Sequence, residues 1–163
     1  MNQTFRKGSI GAILDEYEIA IADLKKAIRK ISEADLVKVV DAKTRNPNCK
    51  SVQTILTHIV KCGYFYPTLI LRNKFPGKEF SLPAITHLKS IKEYNKALDE
   101  MFIFNEQSLG KIKESDMWNY AKGRMDSGWG QIFDYDQIME HAIMHIYRHR
   151  RQIRKLLLNS KEA

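Results

Sequence analysis

The chain has 163 residues, which is enough for one domain and too few for two of ordinary size, so we treat residues 1–163 as a single domain. Hydrophobic residues make up 44% of the sequence, and this share supplies a core and excludes a wholly disordered chain. The net charge of +8 permits contact with nucleic acid or with an acidic small molecule, and it is equally typical of a soluble basic surface.

The sequence shows no feature of a membrane or secreted protein. No apolar run approaches the roughly 20 residues of a membrane span, and the N-terminal residues lack the apolar block of a secretory signal. We therefore expect a cytoplasmic protein with no membrane contact. In that reducing compartment Cys49 and Cys62 are expected to be free thiols, with Cys62 as a small core residue.

The first predicted helix runs from about Ile10 to Ile31. Its apolar residues are spaced alternately four and three apart, which places them on one stripe of a helix. They are Ile10, Leu14, Tyr17, Ile21, Leu24, Ile28 and Ile31. Ser32 and Asp35 then form a capping pattern that predicts a short additional turn.

The second and third helices follow a connector that is broken by Pro47. The second is predicted to begin after Ser51 as its N-cap, and Pro67 should kink it or end it early, because proline lacks the backbone N–H. Its inward stripe consists of Val52, Ile55, Ile59, Cys62, Tyr66 and Leu69. The third helix is predicted over about Ala84 to Asn105.

The helical pattern is absent from about Glu106 to Phe133, and we expect this long connection to cover one end of the helices. The fourth helix is predicted to begin near Asp134, where Gln137 completes a capping pattern, and to continue to about Leu158. No segment alternates as a strand does. The sequence therefore predicts an all-α protein, a four-helix bundle with long connectors.

Five histidines are present, and three of them, His141, His145 and His149, lie within nine residues. The stripe of the fourth helix consists of Ile138, Ala142, His145, His149, Gln152 and Leu156. His145 and His149 thus occupy positions where aliphatic residues are expected, whereas His141 lies off the stripe. His58 lies three residues after Ile55 in the second helix and also faces inward.

Three inward imidazoles need partners, because a buried polar group without a hydrogen bond costs roughly 1–3 kcal/mol. One divalent metal ion bound by His58, His145 and His149 would satisfy all three and leave a position open for water or substrate. Other interpretations remain: the HxxxH pair is also typical of solvated residues, and a lone core histidine often donates to a carbonyl. His141 is a candidate fourth ligand.

Further residues are candidates for supporting such a centre. His141, Glu140 and Gln152 are candidates for hydrogen bonding to the ligands and orienting them. The sequence does not single out a general acid or base. The candidates are Glu140, Asp136, Tyr64, Tyr66 and Tyr147.

An inward His58, a long gap and then His145-x3-His149-x2-Gln152-Ile153 resemble the DinB-like (DinB/YfiT) superfamily over essentially the whole chain. SVQTILTHIVKCGYFY looks like the second helix of that family, and EHAIMHIYRHRRQI looks like its last. The resemblance implies a bundle, often dimeric, with His58, His145 and His149 binding zinc, nickel or a similar ion. This sequence departs from the family in having His141 one turn earlier and Pro67 within helix two.

The superfamily that this sequence resembles includes metal-dependent thiol transferases, a thiol-dependent isomerase and proposed hydrolases. We therefore expect a metal-dependent enzyme of the transferase or hydrolase type, acting on a small molecule such as a thiol and forming a homodimer. Two alternatives remain open. One is a nucleic-acid-binding module that uses RHRRQIRK at 148–155, which no recognised motif supports. The other is a metal-stabilised scaffold without catalysis.

Overall fold

The computed structural model describes residues 5–121 and 123–159. Within these ranges the chain forms six α-helices, a 3-10 turn at Pro47–Cys49 and two very short strands. The helices are α1 (Gly8–Ile28), α2 (Glu33–Val37), α3 (Val52–Lys74), α4 (Ile91–Leu109), α5 (Glu114–Met117) and α6 (Tyr135–Asn159). The predicted all-α class is confirmed.

The four long helices bury one shared apolar core. Helices α1 and α3 each pack against both α4 and α6. The stripes predicted from the sequence supply part of this core, since residues spaced three and four apart on each helix face the same neighbours. Fully buried side chains from all four helices include Leu24, Ile28, Ile55, Ile59, Leu98, Met101 and Ile138.

None of the helices that the structure describes combines the length and the apolar character that crossing a membrane requires.

The ends of the long helices are set by capping side chains. Ser51 accepts a hydrogen bond from the backbone of Thr54 and so begins α3 where the sequence predicted it. Asp134 and Gln137 bond to each other's backbone N–H groups at the start of α6, as expected. The start of α4 differs from the prediction: Ser90 and Glu93 form a complete capping box, and the helix begins at Ile91 instead of Ala84.

Pro67 lies inside α3, yet the helix runs unbroken from Val52 to Lys74, so the early end does not occur. Without an N–H, Pro67 cannot bond to the carbonyl of Gly63. The buried amide of Asn105 on α4 donates to that carbonyl instead, at 3.0 Å, and also to the carbonyl of Met101 at 2.8 Å. Asn105 thus supplies the hydrogen bond that the proline removes.

The side chain of Met101 on α4 packs directly over Gly63 of α3. A Cβ atom at this position would lie 2.0 Å from Sδ of Met101, far inside the van der Waals contact distance. A larger residue at position 63 would therefore require the Met101 side chain to move.

The long connection from Glu106 to Phe133 contains elements that the sequence analysis did not predict. Its first residues extend α4 to Leu109, and α5 follows. Antiparallel strands β1 (Met125–Asp126) and β2 (Ile132–Phe133) then form a hairpin. Strands of two residues are too short to show the alternation by which strands are recognised in a sequence.

Trp129 lies at the tip of this hairpin, between Gly128 and Gly130, which both adopt φ +84°. Such backbone angles favour glycine. The indole ring packs against Phe65 and Tyr66 of α3, with ring centroids 6.3 and 6.2 Å away. The hairpin therefore packs against α3 and, because Trp129 also contacts His141, against α6.

Candidate metal centre

The centre is built from two pairs of side chains on helices that pack together. Helix α3 carries His58 and Cys62 one turn apart, and α6 carries His145 and His149 one turn apart. Residues four apart lie on the same face of a helix, so each pair projects toward the other helix. His149 is buried, while His58, Cys62 and His145 are half-buried.

His145 lies close to both of the other predicted ligands. Nε2 of His145 lies 3.1 Å from Nε2 of His58 and 3.1 Å from Nε2 of His149. Nitrogens bound to one tetrahedral zinc ion at ~2.1 Å are separated by about 3.4 Å. Each of these two separations is therefore within a few tenths of an ångström of the value that a shared ion would give.

The histidines are held in the neutral form that a metal ion requires. Burial lowers the pKa of His145 to about 2, and neighbouring histidines add to the effect. Burial likewise lowers the pKa of His149 to about 4 and shifts that of His58 in the same direction. Neutral imidazole leaves one nitrogen lone pair free, which is the form that coordinates metals.

Gln152 determines which nitrogen of His149 carries the proton. Its Oε1 lies 2.9 Å from Nδ1 of His149. An amide oxygen can only accept, so Nδ1 must donate and Nε2 keeps its lone pair toward the other histidines. A hydrogen bond from the second ring nitrogen is the usual way in which proteins orient a histidine ligand.

Cys62 is a further potential donor, which the sequence analysis treated as a core residue. Donor atoms of His58, Cys62 and His145 all lie within 4.8 Å of one another, and this group could hold a metal ion. Sγ of Cys62 is 3.6 Å from Nδ1 and 3.7 Å from Nε2 of His58. These nearly equal distances put the sulfur beside the ring and off the axis of the Nε2 lone pair.

Cys62 would therefore have to rotate before it could bind an ion held by the histidines. The spacing His58-x3-Cys62 repeats that of His145-x3-His149, and this repetition could have identified Cys62 from the sequence. The thiol also bonds to Tyr66, and burial raises the pKa of the thiol.

His141 lies within an aromatic group beside the centre. Its ring contacts Tyr66, Trp129 and Phe133, with centroids 5.4, 5.7 and 5.6 Å away, and the His145 ring is 6.1 Å away. This packing places the His141 ring among aromatic side chains rather than with the converging nitrogens. Burial lowers its pKa, so its ring is neutral as well.

Two of the acid–base candidates, Glu140 and Asp136, lie away from the centre. Glu140 is exposed and borders a neighbouring depression together with Met144. Asp136 lies in the first turn of α6, more than two turns before His145. Glu140 is thus separated from the histidine nitrogens. Its neighbour in sequence, His141, borders this depression and also the cleft that contains the other histidines.

Among the three candidate tyrosines, Tyr66 lies beside the centre. Its ring is 5.7 Å from that of His145, and its hydroxyl bonds to Cys62. Tyr64 packs against Phe104 and Tyr147 lies under the guanidinium of Arg150. Burial strongly raises the pKa of Tyr66, so it is a neutral phenol that can donate a hydrogen bond.

A cleft of about 590 Å³ opens the centre to solvent. It is lined by His58, His141, His145 and His149, with Gln152 beside them. The rest of its wall includes Arg148, Arg151 and Lys155. Its volume is within the range of about 300–1,000 Å³ that is typical of small-molecule sites.

Comparison of the chain with family models, with curated proteins and with solved structures finds no match.

Proposed function

We propose that this protein binds one divalent metal ion through His58, His145 and His149. The observation that carries the proposal is the 3.1 Å separation of the His145 Nε2 atom from the Nε2 atoms of both other histidines. Neutral rings that converge in this way offer three lone pairs to one ion. Imidazole ligands suit zinc and nickel, and we propose one of these as the metal.

We further propose that α1, α3, α4 and α6 form a four-helix bundle of the DinB-like kind. The proposal is supported by the packing of α1 and α3 against both α4 and α6. It is also supported by the placement of the ligands on the second and fourth long helices. The hairpin that carries Trp129 then belongs to the long connection before the last helix.

We propose that the bound metal makes the protein an enzyme of the thiol-transferase or hydrolase type. Three protein ligands leave a coordination position for substrate, and the cleft gives a small molecule access to it. A divalent ion would supply a Lewis acid that lowers the pKa of a thiol or of water. Gln152 orients His149, and the Tyr66 phenol, whose ring packs against His145, bonds to the Cys62 thiol.

Metal content of the untagged protein tests the binding proposal. We expect about one ion per chain, and loss of most of it in His58→Ala, His145→Ala and His149→Ala. His87→Ala is the matched control, because His87 is exposed and bonds to Thr57 away from the centre. Equal metal content in all four variants would overturn the proposed ligand set.

Turnover tests the enzymatic proposal separately. The zinc-loaded protein is incubated with a small thiol and an electrophile whose thiol adduct fluoresces, and with a chromogenic ester. Activity should disappear on chelation and in His149→Ala, and should persist in His87→Ala. Stoichiometric metal without turnover of either substrate would overturn the enzymatic proposal and favour a metal-stabilised scaffold.

A further inference from the structure

Three basic side chains of α6 form a row beside the histidines. Arg148, Arg151 and Lys155 are spaced three and four residues apart, so they share one face of the helix. All three are exposed, and all three line the cleft that contains the histidines. The row therefore leads from solvent to the proposed metal.

These cations have no acidic partner among the residues that the structure describes. The salt bridges found there include Arg150 of the same helix, which pairs with Asp23, but none involves Arg148, Arg151 or Lys155. In the same described part of the chain, the wall of the cleft contains no aspartate or glutamate. The positive charge of the row is thus uncompensated.

The charge of the row extends to the centre itself. Arg148 lies between the proposed ligands His145 and His149 in the sequence of α6, and it lines the same cleft as both. A cleft with charges of one sign concentrates the field inside it, and a divalent ion would add to the same sign. An anion entering the cleft is therefore attracted both by the row and by the metal.

We infer that the substrate of this centre is a small organic anion. Its negatively charged oxygen group, such as a carboxylate, binds Arg148, Arg151 and Lys155 while its reacting group reaches the ion held by the histidines. The inference rests on the proposed metal-dependent function and names its substrate class. The concave cleft of about 590 Å³ suits a small molecule better than a nucleic acid strand.

The test compares three thiols that share a two-carbon chain between the sulfur and an end group of different charge. The cobalt(II)-loaded protein is titrated under nitrogen with 3-mercaptopropionate, 2-mercaptoethanol and cysteamine, which end in a carboxylate, a hydroxyl and an ammonium group. Binding is followed by the sulfur-to-cobalt charge-transfer absorption. The thiols differ in acidity, which by itself changes how tightly they bind a metal ion. The affinity of each thiol for the wild type is therefore compared with its affinity for a variant.

Arg148→Met should weaken the binding of 3-mercaptopropionate by about tenfold, since a charge-assisted hydrogen bond is lost. The affinity for 2-mercaptoethanol should change less than about twofold, and cysteamine should bind more tightly because a repelling charge is gone. Arg154→Met is the matched control: Arg154 is exposed on the same helix but is not part of the cleft wall. This variant should leave all three affinities unchanged.

Equal weakening of the carboxylate and hydroxyl thiols in Arg148→Met, or an equal effect of Arg154→Met, would overturn the inference while the metal site stands. Failure to bind cobalt at all would overturn the proposed function and this inference with it. A fluorescent single-stranded oligonucleotide is titrated in parallel at low salt. The inference would be overturned if the strand binds, Arg148→Met abolishes that binding, and the same variant affects the three thiols equally. The row would then be assigned to nucleic acid.

Discussion

Gln152 accepts a hydrogen bond from Nδ1 of His149 at 2.9 Å, one turn further along the same helix. Because this bond holds the proton on Nδ1, it leaves Nε2 of His149 facing Nε2 of His145, 3.1 Å away. One polar residue on the core stripe thus prepares a buried histidine to bind a metal ion.

Gln152→Ala should weaken zinc binding by about tenfold, since removing the hydrogen-bond partner of a histidine ligand typically costs ~10–100-fold in affinity. Gln152→Glu keeps the acceptor oxygen and should retain at least the wild-type affinity. Competition with a chromophoric chelator measures both values, and circular dichroism checks that the helices persist. Equal affinities for wild type and Gln152→Ala would show that the bond does not contribute.

Asn105→Ala should destabilise the protein by about 1–3 kcal/mol, because it leaves the buried carbonyl of Gly63 without a donor. Pro67→Ala restores an N–H that can bond to the same carbonyl, so it should recover part of this loss when both changes are combined. Urea denaturation of the two single variants and the double variant measures the coupling. Additive effects would rule out the compensation between Asn105 and Pro67.

The metal-free protein should lose stability as the pH falls from about 6.5 to 4. The unfolded state takes up protons near the ordinary histidine pKa of 6.5, whereas burial lowers the pKa of His149 to about 4 and that of His145 to about 2 in the folded state. The unfolded state therefore binds more protons in this window, and each group lowers the free energy of unfolding by up to about 1.4 kcal/mol per pH unit.

Urea midpoints measured in chelator across this window test the effect. His149→Gln removes one of the titrating groups and should flatten the slope, whereas His87→Gln should leave it unchanged. A midpoint that stays constant between pH 6.5 and 4 in the wild type would contradict the prediction.

Cys62 should not be a ligand in the resting centre, because its sulfur lies beside the His58 ring and off the Nε2 axis. The cobalt-loaded protein should therefore lack sulfur-to-cobalt charge transfer until a thiol is added. Cys62→Ser should bind cobalt within a few-fold of the wild type, as should the control Cys49→Ser. A band in the resting protein that disappears only in Cys62→Ser would make Cys62 a ligand.

The sequence predicted the four long helices and part of the buried face of each one. A helix repeats every 3.6 residues, so spacing alone placed Leu24 and Ile55 in the core, where the structure finds them. Capping is equally local, and Ser51 and Asp134 begin their helices as predicted. The third long helix begins at Ile91 and not near Ala84, because Ser90 and Glu93 form a capping box, a signal that the sequence does contain.

The sequence by itself determined that the chain is helical and that His145 and His149 lie on the same face of one helix, because both properties depend on residues a few positions apart. Only the tertiary structure decided that Nε2 of His58 meets Nε2 of His145 across 87 residues of chain. It alone also decided that Asn105 bonds to Gly63 and that Cys62 lies beside His58. Such distances depend on how the helices approach one another and on the rotamer of each side chain. A local sequence pattern specifies neither the helix packing nor the rotamers.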